Sequence, residues 1–397
     1  MESWNYNHYN TIIKMKISLK IIILLIFIYP ISLQKLQAEE KIKIGLLVPL
    51  SGKQGDIGKS ILQSVRLAIN KIDSPNIKIF LKDTKNDPLK TLSAAKELEL
   101  AGVKIVIGPV FNNNLIYLDE LKDMIFLSLT NKNINNPKNV ISAGINASSQ
   151  IRTIIKFKEM NDIRRTIFLI PNSNFQEEVE EAILQSKIKL KYVHIYETNP
   201  MELTKQIEKI TMYQIRKQNL IDEIKRLKDS NEENKEWKIK NLEKRDTLGG
   251  INFDSVIVSD FEEGLKSVFT SLLYTDVSPQ RIYYITLNQW FDESFLKEKS
   301  LQPLYFPSIN KENYDEFIND YKKIYDEHPN QLSFLSYDLM GLVYYLVYQN
   351  NFEINKKIFY KKNQFKGKVG IFEINKNRIN HVLNFYKVED NEFKKIF

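Results

Sequence analysis

The chain has 397 residues, of which 57 are Lys or Arg and 49 are Asp or Glu, giving a formal net charge of +8. Basic and acidic residues are interspersed, and no arginine-rich, zinc-finger or RNA-recognition signature occurs, so nucleic-acid binding is not expected. The chain has no cysteine, which excludes disulfides, thiolate metal sites and lipid attachment to a cysteine.

Residues 1–38 have the pattern of a secretory signal peptide. Three lysines precede the apolar run 21–33, and Ala38 stands before two glutamates. We expect cleavage after Ala38, which removes four Lys and one Glu, lowers the net charge to +5 and leaves 359 residues. An uncleaved anchor is the alternative, but the apolar run is shorter than the ~20 residues of a membrane span. We expect a periplasmic, cysteine-free protein with no stable membrane span after cleavage.

The mature chain begins with a pattern that predicts a strand, a loop and a helix. Residues 44–48 form a near-continuous apolar run, which is typical of a strand buried on both faces of a parallel sheet. Small and polar residues follow, among them Ser51, and apolar residues then recur at helical spacing in 60–69. In open α/β sheets, ligands bind beyond the carboxyl ends of strands, so a ligand site is expected at this first loop.

Strands and helices then alternate along the chain, which predicts βαβ units in parallel sheets. The predicted strands are 77–81, 103–107, 124–129, 166–170, 190–196, 253–258 and 281–286, with helices between them, one near 115–122. Two such series predict two lobes, because single cores stop growing near ~250–300 residues. We assign 39–145 and approximately 290–350 to lobe 1, and 146–289 with approximately 351–397 to lobe 2.

Residues 201–248 interrupt this alternation, because they are rich in Lys, Glu, Arg and Asn and have no turn signal before Gly249. Thin apolar stripes predict one or two long helices, or an antiparallel hairpin bent near 229–231. We therefore expect a charged helical insertion in the second lobe. It either contacts a partner or a second copy of the chain, or lies as a solvated arm on its own lobe.

No catalytic pattern occurs along the chain. Gly-x-Ser-x-Gly, Walker and His-Glu-x-x-His motifs are absent. His194, His328 and His381 stand alone and are expected to be core or surface residues. The sequence thus predicts no enzyme, no cofactor and no metal site.

Six segments with recognisable motifs follow one another along the chain, namely Ile44–Gly52, Asp83–Pro88, Ile107–Val110, Phe126–Asn131, Ser336–Asp338 and Phe365–Phe372. In this order they resemble the corresponding segments of type I periplasmic binding proteins, the leucine/isoleucine/valine-binding group. Within that superfamily the charged insertion, together with Tyr274–Val277 and Asn288–Asp292, is similar to alphaproteobacterial penicillin-binding protein activators. The resemblance covers essentially the whole mature chain. It implies an α/β fold of two Rossmann-like lobes with parallel sheets, joined by three crossover segments around a cleft that closes on ligand.

The resemblance also implies candidate ligand-binding residues in the cleft, which are Ser51, Asn112, Ser128, Thr130, Phe175, Asp260 and Trp290. Hydroxyls at Ser128 and Thr130 can donate to a carboxylate, and Asp260 can accept from an ammonium group. Phe175 lies where the family usually has the tyrosine of an Asp-x-x-Tyr-Gly motif, so the amino-acid clamp is incomplete. Each hydroxyl or amide can instead cap its own loop, and Trp290 can instead pack in the hinge or core.

Two functions follow from the resemblance. The first is a non-enzymatic periplasmic regulator of peptidoglycan synthesis, of the penicillin-binding protein activator type, with a penicillin-binding protein or another envelope protein as its partner. The alternative is a solute-binding receptor of an ABC transporter, with an amino acid or related small polar ligand and a permease as partners. A hydrolase on this fold is disfavoured by the absent motifs.

Overall fold

The computed structural model describes residues 42–375 and 377–397, so the expected signal peptide, residues 1–38, lies outside the described residues. Described residues from 43–73 and 79–397 form one compact unit. Ile42 and Ser74–Lys78 fall in a second unit, in which the Ile42 N–H donates to the Asn76 carbonyl at 2.6 Å. No helix in the described part of the chain is long and apolar enough to cross a membrane.

The helices of the described residues are distributed along the whole chain. The α-helices are α1 (Gly55–Ile72), α2 (Pro88–Leu100), α3 (Ala147–Met160), α4 (Gln176–Ser186), α5 (Pro200–Ile210), α6 (Tyr213–Lys228), α7 (Lys235–Leu242), α8 (Glu262–Tyr274), α9 (Ser294–Lys297), α10 (Lys311–Tyr325) and α11 (Gln331–Gln349). Short 3₁₀ helices lie at Gly52–Gln54, Asn112–Leu115, Leu118–Glu120, Lys299–Leu301 and Lys356–Phe359. The prediction of a helix near 115–122 is therefore wrong, because two separate 3₁₀ helices, Asn112–Leu115 and Leu118–Glu120, occupy that part of the chain.

The strands form two sheets. They are β1 (Ile42–Val48), β2 (Ile77–Asp83), β3 (Ile105–Ile107), β4 (Ile125–Ser128), β5 (Val140–Ser142), β6 (Thr166–Pro171), β7 (Tyr192–Tyr196), β8 (Ser255–Val258), β9 (Tyr283–Thr286), β10 (Leu304–Ser308), β11 (Asn363–Lys366), β12 (Ile371–Asn375), β13 (Arg378–Val382), β14 (Asn384–Glu389) and β15 (Glu392–Lys395). Sheet 1 has the order β11-β12-β13-β5-β4-β3-β1-β2, and sheet 2 the order β15-β14-β10-β9-β8-β6-β7. The expected two-lobed α/β fold is confirmed.

Lobe 1 is built on sheet 1, whose strands β1, β3, β4 and β5 run parallel. Asp87 begins α2, because its carboxylate accepts the Lys90 N–H at 2.8 Å. Helix α11 packs along α1, where the Ser64 hydroxyl donates to the Ser333 carbonyl at 2.6 Å. Small residues at this contact let the two helices approach closely.

Lobe 2 is built on sheet 2, whose strands β7, β6, β8, β9 and β10 run parallel. Its core contains Phe168, Ile257 and Ile285 from the strands, which are fully buried. Phe157 of α3 stacks on Phe385 of β14 with ring centroids 4.3 Å apart. The C-terminal hairpin β14–β15 therefore shares the core of the parallel strands.

The chain crosses between the sheets three times, after β5, after β10 and between β13 and β14, which confirms the three expected crossover segments. Side chains satisfy the buried carbonyl groups at these crossings. Asn146 Nδ2 donates to the Ile379 carbonyl at 2.8 Å, and the Tyr386 hydroxyl donates to the Ile309 carbonyl at 3.0 Å. The Nε2 of His381 lies 3.0 Å from the Ala143 carbonyl oxygen, so Nε2 is the protonated ring nitrogen.

The sheets correct the expected lobe boundaries near the C-terminus. Strands β11 to β13 lie in sheet 1, although 351–397 was expected in lobe 2, and only β14 and β15 join sheet 2. Strand β10 lies in sheet 2, although 290–350 was expected in lobe 1. The decisive contact is the parallel pairing of Arg378 with Ser142, which joins segments far apart in sequence.

Two of the segments that carried the resemblance contact each other. The buried Asp338 carboxylate accepts the N–H groups of Lys368 and Val369 at 2.9 and 2.7 Å. Gly367 lies so close to this carboxylate that an added Cβ would be 2.2 Å from an oxygen. The turn between β11 and β12 is thereby fixed to α11.

The insertion consists of α6 and α7, and we call residues 213–242 the insertion hairpin. Helix α5 packs on α8 as an ordinary crossover helix, so the insertion begins later than the expected residue 201. Arg216 is buried in lobe 2 and donates to the Thr211 carbonyl at 2.9 Å, to Thr247 Oγ1 at 2.9 Å and to the Thr275 carbonyl. One guanidinium group therefore fixes the base of the hairpin to the lobe.

We predict that Arg216→Met destabilises the protein by about 3 kcal/mol, because three buried acceptors lose their donor. Urea unfolding measures the change in the free energy of unfolding. Arg245→Met, which changes an exposed arginine of the same region, is the matched control and should stay within about 0.5 kcal/mol of the parent protein. Equal effects of the two substitutions would contradict this role for Arg216.

His381 gives a prediction about pH. Burial lowers the pKa of His381 to about 4, against about 6.5 in an unfolded chain. The unfolded state then binds more protons between these values, so the stability contribution of His381 falls as the pH falls from about 6.5 to about 4, by up to about 3 kcal/mol.

Unfolding free energies at pH 6.5 and 4.5 test this for His381→Gln against the parent protein. The stability difference between the two proteins should change with pH in favour of the variant at low pH. His328→Gln is the control, because His328 is exposed, and its difference from the parent should not change in that way.

Candidate functional site

A cavity of about 470 Å³ lies between the two lobes, and we call it the interlobe cavity. The cavity is lined on the side of lobe 1 by the loops after β3, β4 and β5 and by the start of α11. The β9–β10 connection lines it on the side of lobe 2. Its lining residues are Val110, Phe111, Asn112, Asn113, Leu129, Thr130, Asn131, Lys132, Gly144, Ile145, Trp290, Leu332 and Leu335. The volume suits a small organic molecule, since ligand pockets commonly have about 300–1,000 Å³.

Two glycines allow the loops to meet at the carboxyl edge of sheet 1. Gly108 has φ of 107°, and a Cβ there would lie 2.1 Å from the Leu47 carbonyl oxygen. A Cβ on Gly144 would lie 2.6 Å from the Thr130 carbonyl oxygen. Side chains at either position would push the loops apart, so both glycines shape the cavity.

Three of the seven expected site residues, Asn112, Thr130 and Trp290, line the interlobe cavity. Asn112 Nδ2 donates to Asn136 Oδ1 at 2.9 Å, which orients its amide. Thr130 Oγ1 accepts the N–H of Lys132 at 3.2 Å, so its hydroxyl hydrogen stays available as a donor. These polar groups lie on the lobe 1 side of the cavity.

Trp290 belongs to lobe 2 and has φ of 51°, an unusual conformation for a tryptophan. The backbone N–H of Trp290 donates to Asn288 Oδ1 at 2.9 Å, and the Ser308 hydroxyl donates to the same oxygen at 2.8 Å. The Asn288 N–H in turn donates to Gln150 Oε1 at 2.7 Å. The indole is therefore presented to the cavity by a fixed hydrogen-bonded turn.

The other expected residues are not among the described residues that line the interlobe cavity. Ser128 is fully buried, and its hydroxyl donates to the Pro109 carbonyl at 2.7 Å, as in a loop cap. Ser51 is exposed and donates to Asp83 Oδ2 at 2.7 Å. Both hydroxyls thus have internal partners.

Asp260 and Phe175 lie together in lobe 2, outside the lining of the cavity. The Asp260 carboxylate accepts the Tyr196 hydroxyl and the Phe261 N–H, the latter at 2.8 Å. The Phe175 and Phe261 rings lie 6.4 Å apart. Asp260 is therefore engaged within its own lobe.

Loops of lobe 1 contact helix α4 of lobe 2 directly. Lys132 Nζ donates to the Asn174 carbonyl at 2.7 Å. The buried Glu178 carboxylate accepts the Asn133 N–H at 2.8 Å, Asn133 Nδ2 at 3.0 Å and the Ile134 N–H at 3.3 Å. Burial raises the pKa of Glu178, although these donors oppose the shift. We call these contacts the lobe clasp.

The interlobe cavity has a distinct charge pattern. Of the described residues that line it, Lys132 alone carries a charge, and it is positive. The remaining lining combines aromatic and aliphatic side chains with asparagine amides and the Thr130 hydroxyl. The cavity can therefore donate to an anion and cover an apolar body, but no described lining side chain offers a carboxylate to an ammonium group.

Sequence reasoning missed Lys132, Leu332 and Leu335 as cavity residues. Lys132 lies two positions beyond Thr130 on the same loop, so proximity to a predicted site residue was the available signal. The two leucines lie three positions apart at the start of α11, where helical spacing predicts only core packing.

Among the described residues, no group of three or more histidines, aspartates or glutamates is placed to hold a metal ion. His194 lies in β7 and His381 in β13, each within a strand.

The family described as periplasmic binding protein matches residues 41–206. No curated protein sequence matches the chain. Among solved structures, a putative branched-chain amino acid ABC transporter protein from Rhodospirillum rubrum is similar, with 12% identity and a TM-score of 0.67 over 90% of this chain and 100% of that one.

Two further structures are similar over most of the chain. A solute binding protein of an ABC transporter from Rhodopseudomonas palustris BisB5, in complex with 3,4-dihydroxybenzoic acid, has 16% identity and a TM-score of 0.58, covering 90% of this chain and 96% of that one. The C-domain of LpoA from Haemophilus influenzae, a regulator of PBP1A, has 15% identity and a TM-score of 0.57, covering 89% and 100%. At such identities the likeness shows the fold, which is that of type I periplasmic binding proteins.

The lobe clasp gives a prediction. Glu178→Gln replaces one acceptor oxygen by an amide NH₂ that faces N–H donors, so the variant should lose about 1–3 kcal/mol of stability and expose the loop amides. Hydrogen exchange at the Asn133 and Ile134 amides measures the local effect. Glu177→Gln, on the same turn but exposed, is the control. Unchanged exchange in Glu178→Gln would contradict the clasp.

Proposed function

We propose that this chain is a non-enzymatic periplasmic binding protein that encloses a small organic anion between its two lobes, as the solute receptor of an ABC transporter. The observation that supports this most is the interlobe cavity with Lys132 as its charged lining residue. The matching family and the transporter structures described above are binding proteins, which agrees with this class. The sequence analysis gave transport as the alternative to regulation of peptidoglycan synthesis. We rank transport first here because of the interlobe cavity.

The lining favours a particular ligand chemistry. Lys132 Nζ gives one of its three N–H groups to the Asn174 carbonyl, which leaves two for a ligand carboxylate. The Thr130 hydroxyl can donate to the same carboxylate, and charge-assisted hydrogen bonds are the stronger kind. Trp290, Phe111 and Leu335 can cover an apolar or aromatic body. An α-amino acid also needs an acceptor for its ammonium group, and Glu178 and Asp260 are both engaged elsewhere. We therefore favour carboxylates without an amino group over amino acids.

Trp290 allows a direct test. Trp237→Phe leaves Trp290 as the sole tryptophan of residues 39–397, so its fluorescence reports on the cavity. We expect 3,4-dihydroxybenzoate to change this fluorescence and leucine to change it only at concentrations about tenfold higher or more, a difference of about 1.4 kcal/mol.

Lys132→Met in the same background should weaken dihydroxybenzoate binding about tenfold or more, because the carboxylate loses its charged donor. Lys138→Met, which changes an exposed lysine of the same loop, is the matched control. Tighter binding of leucine than of dihydroxybenzoate, or equal binding by the two lysine variants, would contradict the proposed ligand class.

A second candidate function is regulation of peptidoglycan synthesis, of the penicillin-binding protein activator type. The likeness to the LpoA C-domain supports it, as do exposed apolar side chains on the insertion hairpin. Ile215, Ile221 and Trp237 are 61%, 51% and 68% exposed. Such side chains suit contact with a penicillin-binding protein or another envelope protein.

A purified peptidoglycan synthase tests this second function. The chain should raise its rate of glycan synthesis, and Trp237→Glu should abolish the increase. Ile324→Glu is the control, since Ile324 is 56% exposed on α10, outside the hairpin. No effect of the chain on the synthase, or equal losses in both variants, would reject regulation through the hairpin.

A further inference from the structure

A second cavity lies in lobe 2, away from the interlobe cavity, between the C-terminal part of α3 and the loop that follows α4. It has a volume of about 640 Å³, and we call it the α3–α4 groove. Ile155, Ile163 and Ile188 supply its apolar lining. Ile163 and Ile188 also belong to the core cluster of lobe 2, so the groove opens directly onto the core.

Lys158 is a buried amine in the lining of this groove. The residue is only 6% exposed, and its Nζ donates to the Lys189 carbonyl oxygen at 2.6 Å. An ammonium group has three N–H donors, and the described residues provide this one acceptor. No described carboxylate forms an ion pair with it. A buried cation without an anionic partner is costly, so this position favours an anion from outside the protein.

The charges around Lys158 also favour an anion. Arg164, Lys187 and Lys189 line the groove together with Lys158, whereas the lining has two carboxylates, those of Glu159 and Asp162. Asp162 is already bound by Arg164 through two hydrogen bonds of 2.9 and 3.1 Å.

Burial lowers the pKa of Lys158 to about 8. The carboxylate of Asp254, which directly precedes β8, opposes this shift only in part. At neutral pH most of the amine is therefore still protonated. An anion placed beside it would stabilise the charged form.

We propose that the α3–α4 groove binds an amphipathic organic anion, whose carboxylate or phosphate group pairs with Lys158 Nζ and whose apolar part lies on Ile155, Ile163 and Ile188. The buried ammonium supplies the charged contact, and the isoleucines supply the apolar contact that a bare inorganic anion would not use. This site is independent of the function proposed for the interlobe cavity.

Isothermal titration calorimetry with octanoate tests the proposal in the Lys132→Met background, which weakens anion binding in the interlobe cavity. Octanoate should bind at pH 6.5 at least about tenfold more tightly than acetate or inorganic phosphate, because only octanoate covers the isoleucines. At pH 9.0 most of the Lys158 amine is neutral, so octanoate affinity should fall about fivefold to tenfold.

Lys158→Met separates binding from folding. Methionine fills a similar volume without a buried charge, so the variant should keep its melting temperature and lose octanoate binding by about tenfold or more. Lys187→Gln, a change at the exposed rim, should keep most of the affinity. Octanoate binding that is no tighter than acetate binding, that does not change between pH 6.5 and 9.0, or that survives Lys158→Met would overturn the proposal. If Lys158→Met fails to fold, the pH dependence of octanoate binding to the Lys132→Met protein with Lys158 intact still tests the proposal.

Discussion

The backbone passes three times from one sheet to the other through the protein interior, and the arrangement of the lobes depends on how these crossings are held. Each passage buries carbonyl groups that sheet pairing cannot satisfy, and each such group left without a donor costs about 1–3 kcal/mol. Asn146, His381 and Tyr386 supply those donors from neighbouring elements. These hydrogen bonds fix the crossings, and the loops after β3, β4 and β5 of sheet 1 meet the connection after β9 of sheet 2 at the interlobe cavity.

Much of this fold can be read from the amino-acid sequence, because strands buried on both faces are near-continuous apolar runs. Strands β6 and β9 lie where such runs predict them, within two residues at either end. The sheet that receives the last strands cannot be read in this way. Strand β13 joins sheet 1 through the pairing of Arg378 with Ser142. The local sequence of neither segment indicates which strand it pairs with. The division of residues 351–397 between the lobes therefore required the structure.

The candidate site shows the same division between position and orientation. Asn112, Thr130 and Trp290 could be predicted because each follows the end of a strand, and strand ends meet at the cleft. Ser128 has the same kind of position in the sequence, but its hydroxyl turns to the Pro109 carbonyl. Lys132, which sets the charge of the cavity, carries no motif at all. Which polar atom faces a ligand is decided by rotamers and loop contacts that no spacing pattern records.

The lobe clasp also has a kinetic consequence. Lys132 and Glu178 join the two lobes directly, so the lobes can separate only when these bonds break. The strength of these bonds should therefore influence how fast the lobes separate. Lys132 also lines the cavity, so one side chain contributes both to the contact between the lobes and to the choice of ligand.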